Sequence, residues 1–154
     1  MKRLIHLIHH VELPPVWLAL FAALAWLQAR LFPMEVTGRA GDVIGTGLVG
    51  AGLAVMGWAA LQFLLARTSL IPRMRPDTLV TTGLYRFSRN PIYLADVAIL
   101  LGLILIWDAL PSLILVPLFV KVIEARFIRH EETLLRAHFG PAFDAYCARV
   151  RRWL

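Results

Sequence analysis

Cysteine is almost missing: Cys147 stands alone in 154 residues, which excludes an intrachain disulfide and any paired-cysteine metal or redox site. Charge is scarce as well. Charged residues make up 17%, against about 25% in soluble domains, while apolar residues reach 59% and mean hydropathy is +0.69. Both shifts point to a membrane protein. The Gly-x-x-x-x-Gly-Lys-Ser/Thr phosphate loop is absent, as are internal repeats and low-complexity tracts. The length suits one domain, with no room for a separate soluble catalytic module. The net charge of +6 would suggest nucleic acid in a soluble protein, but here it must first be weighed against membrane topology.

Long apolar runs, by contrast, are plentiful. Pro15 to Phe32 reads as a first span; proline is tolerated at a helix start, where its missing N–H would be unpaired anyway. Its 18 residues would rise about 27 Å, enough for a thin bilayer. The basic start ahead of it reads as retained, because no small-x-small cleavage site follows a short apolar core. His9-His10 lacks a partner cluster and reads as interfacial. Pro33 to Asp42 reads as a turn-rich connection, and Val43 to Ala66 as a second span. The glycines of that span read as small residues that let helices approach closely rather than as a nucleotide loop.

Ile92 to Val122 is too long for one span at about 46 Å. Asp108 to Pro111 divides it into an antiparallel hairpin with arms at 91–107 and 111–127, since Pro111 can open a new helix and the residue before it resists the helical region. Pro117 is expected to kink the second arm. A four-span arrangement puts Lys2, Arg3, the arginines of the central 67–91 loop, and Lys121, Arg126 and the arginines of the 128–154 tail on one side, leaving only Arg30 and Arg39 opposite. The positive-inside rule makes that side, with both termini, cytoplasmic. This topology also absorbs the basic charge without nucleic acid. The expected fold is therefore all-α, a single membrane domain over residues 1–154, ending in an amphipathic cytoplasmic helix after a break at Gly140-Pro141.

The central loop, about 25 residues, is far longer than the roughly 2–8 that join packed helices. It carries Leu79, Val80, Leu84, Tyr85, Phe87, Ile92 and Tyr93, which can be buried. In a hairpin it would lie beside Glu124, Arg126, Arg129, Glu131 and Glu132. Such a cluster offers arginines for a carboxylate, carboxylates for an ammonium or ribose, and aromatic faces for a sulfonium cation. The same residues also read as a solvated, positive-inside tail with ordinary helix-surface ion pairs.

The run Leu79-Val80-Thr81-Thr82-Gly83-Leu84-Tyr85-Arg86-Phe87-Ser88-Arg89-Asn90-Pro91-Ile92-Tyr93, then Glu131-Glu132-Thr133-Leu134-Leu135-Arg136-Ala137-His138-Phe139-Gly140 and Tyr146, resembles the isoprenylcysteine carboxyl methyltransferase family and the related phospholipid methyltransferases. These are integral-membrane enzymes that use S-adenosylmethionine, and the likeness runs roughly from Leu70 to Trp153. It implies cofactor contacts at Asp77, Thr78, Leu79, Val80, Tyr85, Asn90, Pro91, Ile92, Tyr93 and Glu131, and no metal. Arg126 and Arg129 lie nearest the family's substrate-side arginine, with Phe127 an alternative occupant. Asn90 replaces the commoner histidine, which argues against an obligatory base there. Ala95-Asp96 stands where a glycine is common.

The expected activity is methyl transfer to a lipid-borne or amphiphilic carboxylate, amine or thiol. Arg126 or Arg129 would orient the acceptor, and Glu132 or Asp96 would take a proton from an amine. The rival reading is a small membrane scaffold or transporter-like protein whose basic loops bind anionic lipid.

Overall fold

The computed structural model describes residues 13–66 and 78–154, and among these every regular element is helical. Helix α1, Pro14–Leu31, opens on its prolines as expected and buries Phe21 and Ala25. Helix α2, Gly38–Leu65, has 28 residues and would extend about 42 Å. Both are long and apolar enough to cross a membrane; helix α3, Pro91–Ile106, is apolar but shorter, at 16 residues. A 3-10 segment, Leu110–Ile114, leads into α4, Leu115–Ile123, then a π-helical turn, Glu124–Ile128, and α5, Arg129–Phe139. Helix α6, Pro141–Arg149, follows the expected break, with Gly140 at φ +50°.

Helix α2 begins five residues earlier than the sequence suggests, and the reason is distant in the chain. Asp108, in the turn after α3, accepts from the backbone N–H of Val36 at 2.6 Å and of Thr37 at 3.1 Å. A carboxylate at a helix N-terminus satisfies orphan donors and opposes the helix dipole. Desolvation pushes the Asp108 carboxyl up, but the hydrogen bonds from Val36 and Thr37 outweigh it and hold the group below its ordinary value.

Helices α2 and α3 cross almost backbone to backbone. A Cβ at Gly102 would lie 2.6 Å from the Gly45 carbonyl oxygen, and one at Gly52 would lie 2.9 Å from that of Ala95. Small residues at this crossing fit the membrane-helix logic expected of them. The glycines at 47, 50 and 57 face open space instead.

The main core joins Phe21 and Ala25 of α1, Tyr93, Leu100 and Ile104 of α3, and Phe119, Ile123, Phe127 and Ile128 of the following segment. Phe21 meets Phe119 edge-on at 5.3 Å, a favoured aromatic geometry. Ser112 donates to Gln28 Oε1 at 2.9 Å, tying α1 to the 3-10 segment. Pro117 falls in the first turn of α4, and the second arm departs from regular α-helix in the tighter 3-10 turns at 110–114 and the wider π turn at 124–128.

Candidate functional site

Residues 78–82 form no regular element, though Thr82 is extended, and a 3-10 turn follows at Gly83–Arg86. Gln62, near the end of α2, fixes this turn from one side: its Nε2 donates to the Thr82 carbonyl and its Oε1 accepts from Leu84 N–H, both at 3.1 Å. Gly83 adopts φ +58°, and a Cβ there would collide with the Gln62 side chain. The positive φ favours glycine at that position, and a side chain there would also displace the Gln62 amide. A cleft of about 380 Å³ opens between the end of α2 and the 78–82 segment, lined by Gln62, Leu65, Ala66 and Thr78 to Thr82.

From the other side the loop is clasped by the C-terminus. Arg89 N–H donates to the Arg151 carbonyl at 3.0 Å, and the Arg152 carbonyl accepts from Asn90 Nδ2 at 3.0 Å and Ser88 Oγ at 3.3 Å. Tyr146 of α6 donates its hydroxyl to the Tyr85 carbonyl at 2.6 Å. Burial is the main force pushing the Tyr146 hydroxyl up to about 12, against the pull of the nearby Arg89 cation. Beneath these contacts Phe143, Tyr146 and Val150 form a small second core, with Leu79 packed on it.

The aromatic and acidic groups meet at the start of α3. Tyr93 donates its hydroxyl to Glu131 Oε1 at 2.7 Å, across 38 residues of sequence. Its ring lies 6.4 Å from that of the buried Phe127. Tyr85 is buried with its ring 5.3 Å from Phe63 of α2. Burial first, then the charges of Tyr146 and Glu131, raise its hydroxyl well above the ordinary value, so it stays protonated. Tyr85 thus packs on the α2 wall within reach of the Glu131 charge.

Next to this cluster is a network of ions. Arg152 grips Glu132 with Nε at 3.0 Å and Nη2 at 2.6 Å, while its Nη1 reaches Glu124 at 2.7 Å. The hydrogen bonds to Glu132 raise the guanidinium further above its usual value. Arg89 pairs with Glu132 at 3.2 Å and also donates to Cys147 Sγ. Glu124 and Glu132 would sit roughly 80° apart around a regular helix of 3.6 residues per turn. The wider π turn between them reduces that offset, and both reach the same arginine. Such turns are frequent at functional sites.

The structure thus draws Tyr85, Tyr93 and Glu131 into one cluster, with Thr78, Leu79 and Val80 on the adjoining cleft. Pro91 is buried in the first turn of α3 and Ile92 is half-buried beside it. The amide of Asn90 is occupied by the C-terminus. Glu132 is held between two arginines. Arg126 lies elsewhere, its guanidinium 4.9 Å from the Trp17 ring of α1, and Arg129 is exposed, pairing with Glu124 at 3.3 Å. Asp77 falls outside the described residues. Sequence reasoning passed over Gln62, which nothing in its surroundings marks, and took Arg89 and Arg152 for topological charges. Their one available signal was the proximity of Arg151-Arg152 to an aromatic-rich terminal segment.

A helical chain with membrane-crossing helices and a tyrosine–carboxylate cluster at one end defines a class of small membrane protein. The family model for phospholipid methyltransferase matches residues 41–142, more than half of the chain, which belongs to that family of membrane methyltransferases. The match takes in Tyr85, Tyr93 and Glu131 and stops before Tyr146 and Arg152. No curated protein and no solved structure matches the chain.

Proposed function

We propose that this chain moves a methyl group from S-adenosylmethionine to a lipid-borne or amphiphilic acceptor. The observation that carries the reading is the Tyr93–Glu131 hydrogen bond beside Phe127, within the segment that the family shares. The residues present suit the cofactor. A carboxylate oriented by a tyrosine can take an ammonium, rings can face a sulfonium, and the adjoining cleft lies within the roughly 300–1,000 Å³ of small-molecule sites. When bound, S-adenosylmethionine supplies a methyl group already activated by its positive sulfur.

The chain's own residues then need to bind, orient and exclude water. Glu131 receives the amino group, Tyr93 sets its carboxylate, and Tyr85 with the backbone of 78–80 lines the pocket. Pro91 and Ile92 complete the wall, and Asn90 shapes it through the C-terminal clasp. Two arginines pair with Glu132, so anchoring the clasp suits it better than acting on the acceptor. Arg126 and Arg129 remain the basic groups available to an acceptor carboxylate or phosphate.

The whole chain acts as one domain with four spans, the third formed by α3 and the fourth by residues 110–128. Both termini and the cofactor loop lie on the cytoplasmic side, as the distribution of arginine favours, and the acceptor arrives laterally through the bilayer. The test is calorimetric titration of S-adenosylhomocysteine into the purified protein and its Glu131→Gln and Tyr93→Phe variants. Saturable binding weakened in both folded variants supports the reading. Its absence in well-folded wild-type protein in lipid nanodiscs would leave a non-enzymatic scaffold instead.

A further inference from the structure

Helix α3 carries a single ionisable acid, Asp96, in an otherwise apolar stretch, and its side chain is 3% exposed. No hydrogen bond or ion pair among the described residues engages it. A charged group within an apolar span is costly and turns inward, where it marks a functional position by default. An acid this buried and unpartnered is also a poor packing element.

Its position narrows the role. Asp96 follows Tyr93 by three residues, so the two share a face of α3, and it lies about 4.5 Å further along the helix axis. A helical side chain leans toward the N-terminus of its own helix, so the Tyr93 hydroxyl, with Glu131 bonded to it, lies toward the start of α3. The polar groups therefore run in order Glu131, Tyr93, Asp96, from the helix start toward its apolar middle. A charged cofactor held at Glu131 leaves the inner end of this row for an acceptor that arrives from the lipid.

We propose that Asp96 is the acceptor-side carboxylate and takes a proton from an ammonium-bearing amphiphile; this rests on the methyl-transfer reading above. A carboxylate acceptor would be repelled by Asp96, whereas an ammonium is attracted to it. The step balances. Asp96 takes one proton from the ammonium, freeing the nitrogen lone pair. That pair forms the new N–C bond while the C–S bond of the methylsulfonium donor breaks, its electrons passing to sulfur. The nitrogen product is again a cation, and the released proton rests on Asp96.

The experiment compares wild-type protein, Asp96→Asn and Asp96→Glu in nanodiscs with two probes at pH about 7. Dodecylamine is protonated there and must lose a proton first; 4-dodecylaniline is already neutral. S-adenosylhomocysteine binding should be unchanged in both variants. Dodecylamine methylation should fall about 10²-fold or more in Asp96→Asn, with rescue by Asp96→Glu, while dodecylaniline methylation should stay near the wild-type rate. Calorimetric binding of dodecylamine alone should weaken in Asp96→Asn.

Equal loss with both probes and intact cofactor binding would make Asp96 a packing residue and overturn the proposal. So would unchanged dodecylamine turnover in Asp96→Asn, or wild-type protein that binds S-adenosylhomocysteine but methylates neither amine. Wild-type protein that binds no S-adenosylhomocysteine would instead remove the underlying reading. Should Asp96→Asn fail to fold, Asp96→Glu carries the test: dodecylamine methylation must persist in it, and a loss with both probes alike counts against the proposal.

Discussion

Arg152 holds Glu132 through two parallel hydrogen bonds, at 3.0 and 2.6 Å, while its own carbonyl accepts from Asn90. One residue next to the C-terminus therefore secures both the acidic helix α5 and the loop that leads into α3. The proposed cofactor wall is built between these two elements.

Arg152→Ala is expected to lower stability by about 1–3 kcal/mol, because it leaves the largely buried Glu132 with one fewer charged partner. Affinity for S-adenosylhomocysteine should fall with it, although no contact to the cofactor is lost. Arg152→Lys should recover only part of the effect, since an ammonium cannot form the paired geometry. Chemical denaturation and calorimetry in the same detergent would separate the two quantities. Unaltered binding in a destabilised Arg152→Ala protein would show that the clasp does not shape the pocket.

Glu131→Gln is expected to weaken S-adenosylhomocysteine binding by tenfold or more, about 1.4 kcal/mol or greater, and Tyr93→Phe by less. The first removes the charge; the second removes only the bond that orients it. Calorimetry reads both, with the same order expected in methylation rates.

Gly102→Leu should prevent the close crossing of α2 and α3, where even a Cβ would approach the Gly45 backbone to 2.6 Å. Overpacking of this kind costs about 1–3 kcal/mol or more. By contrast Gly47→Ala, facing open space, should change the melting temperature little.

Asp108 links stability to acid. Its carboxyl lies below the ordinary value in the folded protein. The stabilisation is therefore fully present above the unfolded-state value, near pH 4, and is lost as pH falls through the lower folded value. Melting temperatures recorded from about pH 6 to about pH 3 should fall more steeply for the wild type than for Asp108→Asn. Asp108→Asn should also be the less stable protein at neutral pH. Parallel curves would show that the cap of α2 contributes nothing through its charge.

Much of this protein is written locally in its sequence. Apolar runs opened by Pro14-Pro15 and Pro91 make helices, since proline suits a first turn and excludes an interior one. Gly140-Pro141 ends one helix and starts the next. The motif from Leu79 to Tyr93, with Glu131 downstream, carried the family resemblance that the family match bears out. These features need no knowledge of what lies opposite in space.

What only the tertiary structure decided are the pairings across the chain. Helix α2 starts at Gly38 because a carboxylate 71 and 72 residues away meets its first donors. Asn90 reaches the Arg152 carbonyl, Gln62 grips the Gly83 turn, and a π turn brings Glu124 and Glu132 to one arginine. A side chain's chemistry states what it can bind, and local pattern states which helix carries it. Its partner depends on how the helices cross and where a turn widens, and both are set by packing between segments far apart in sequence.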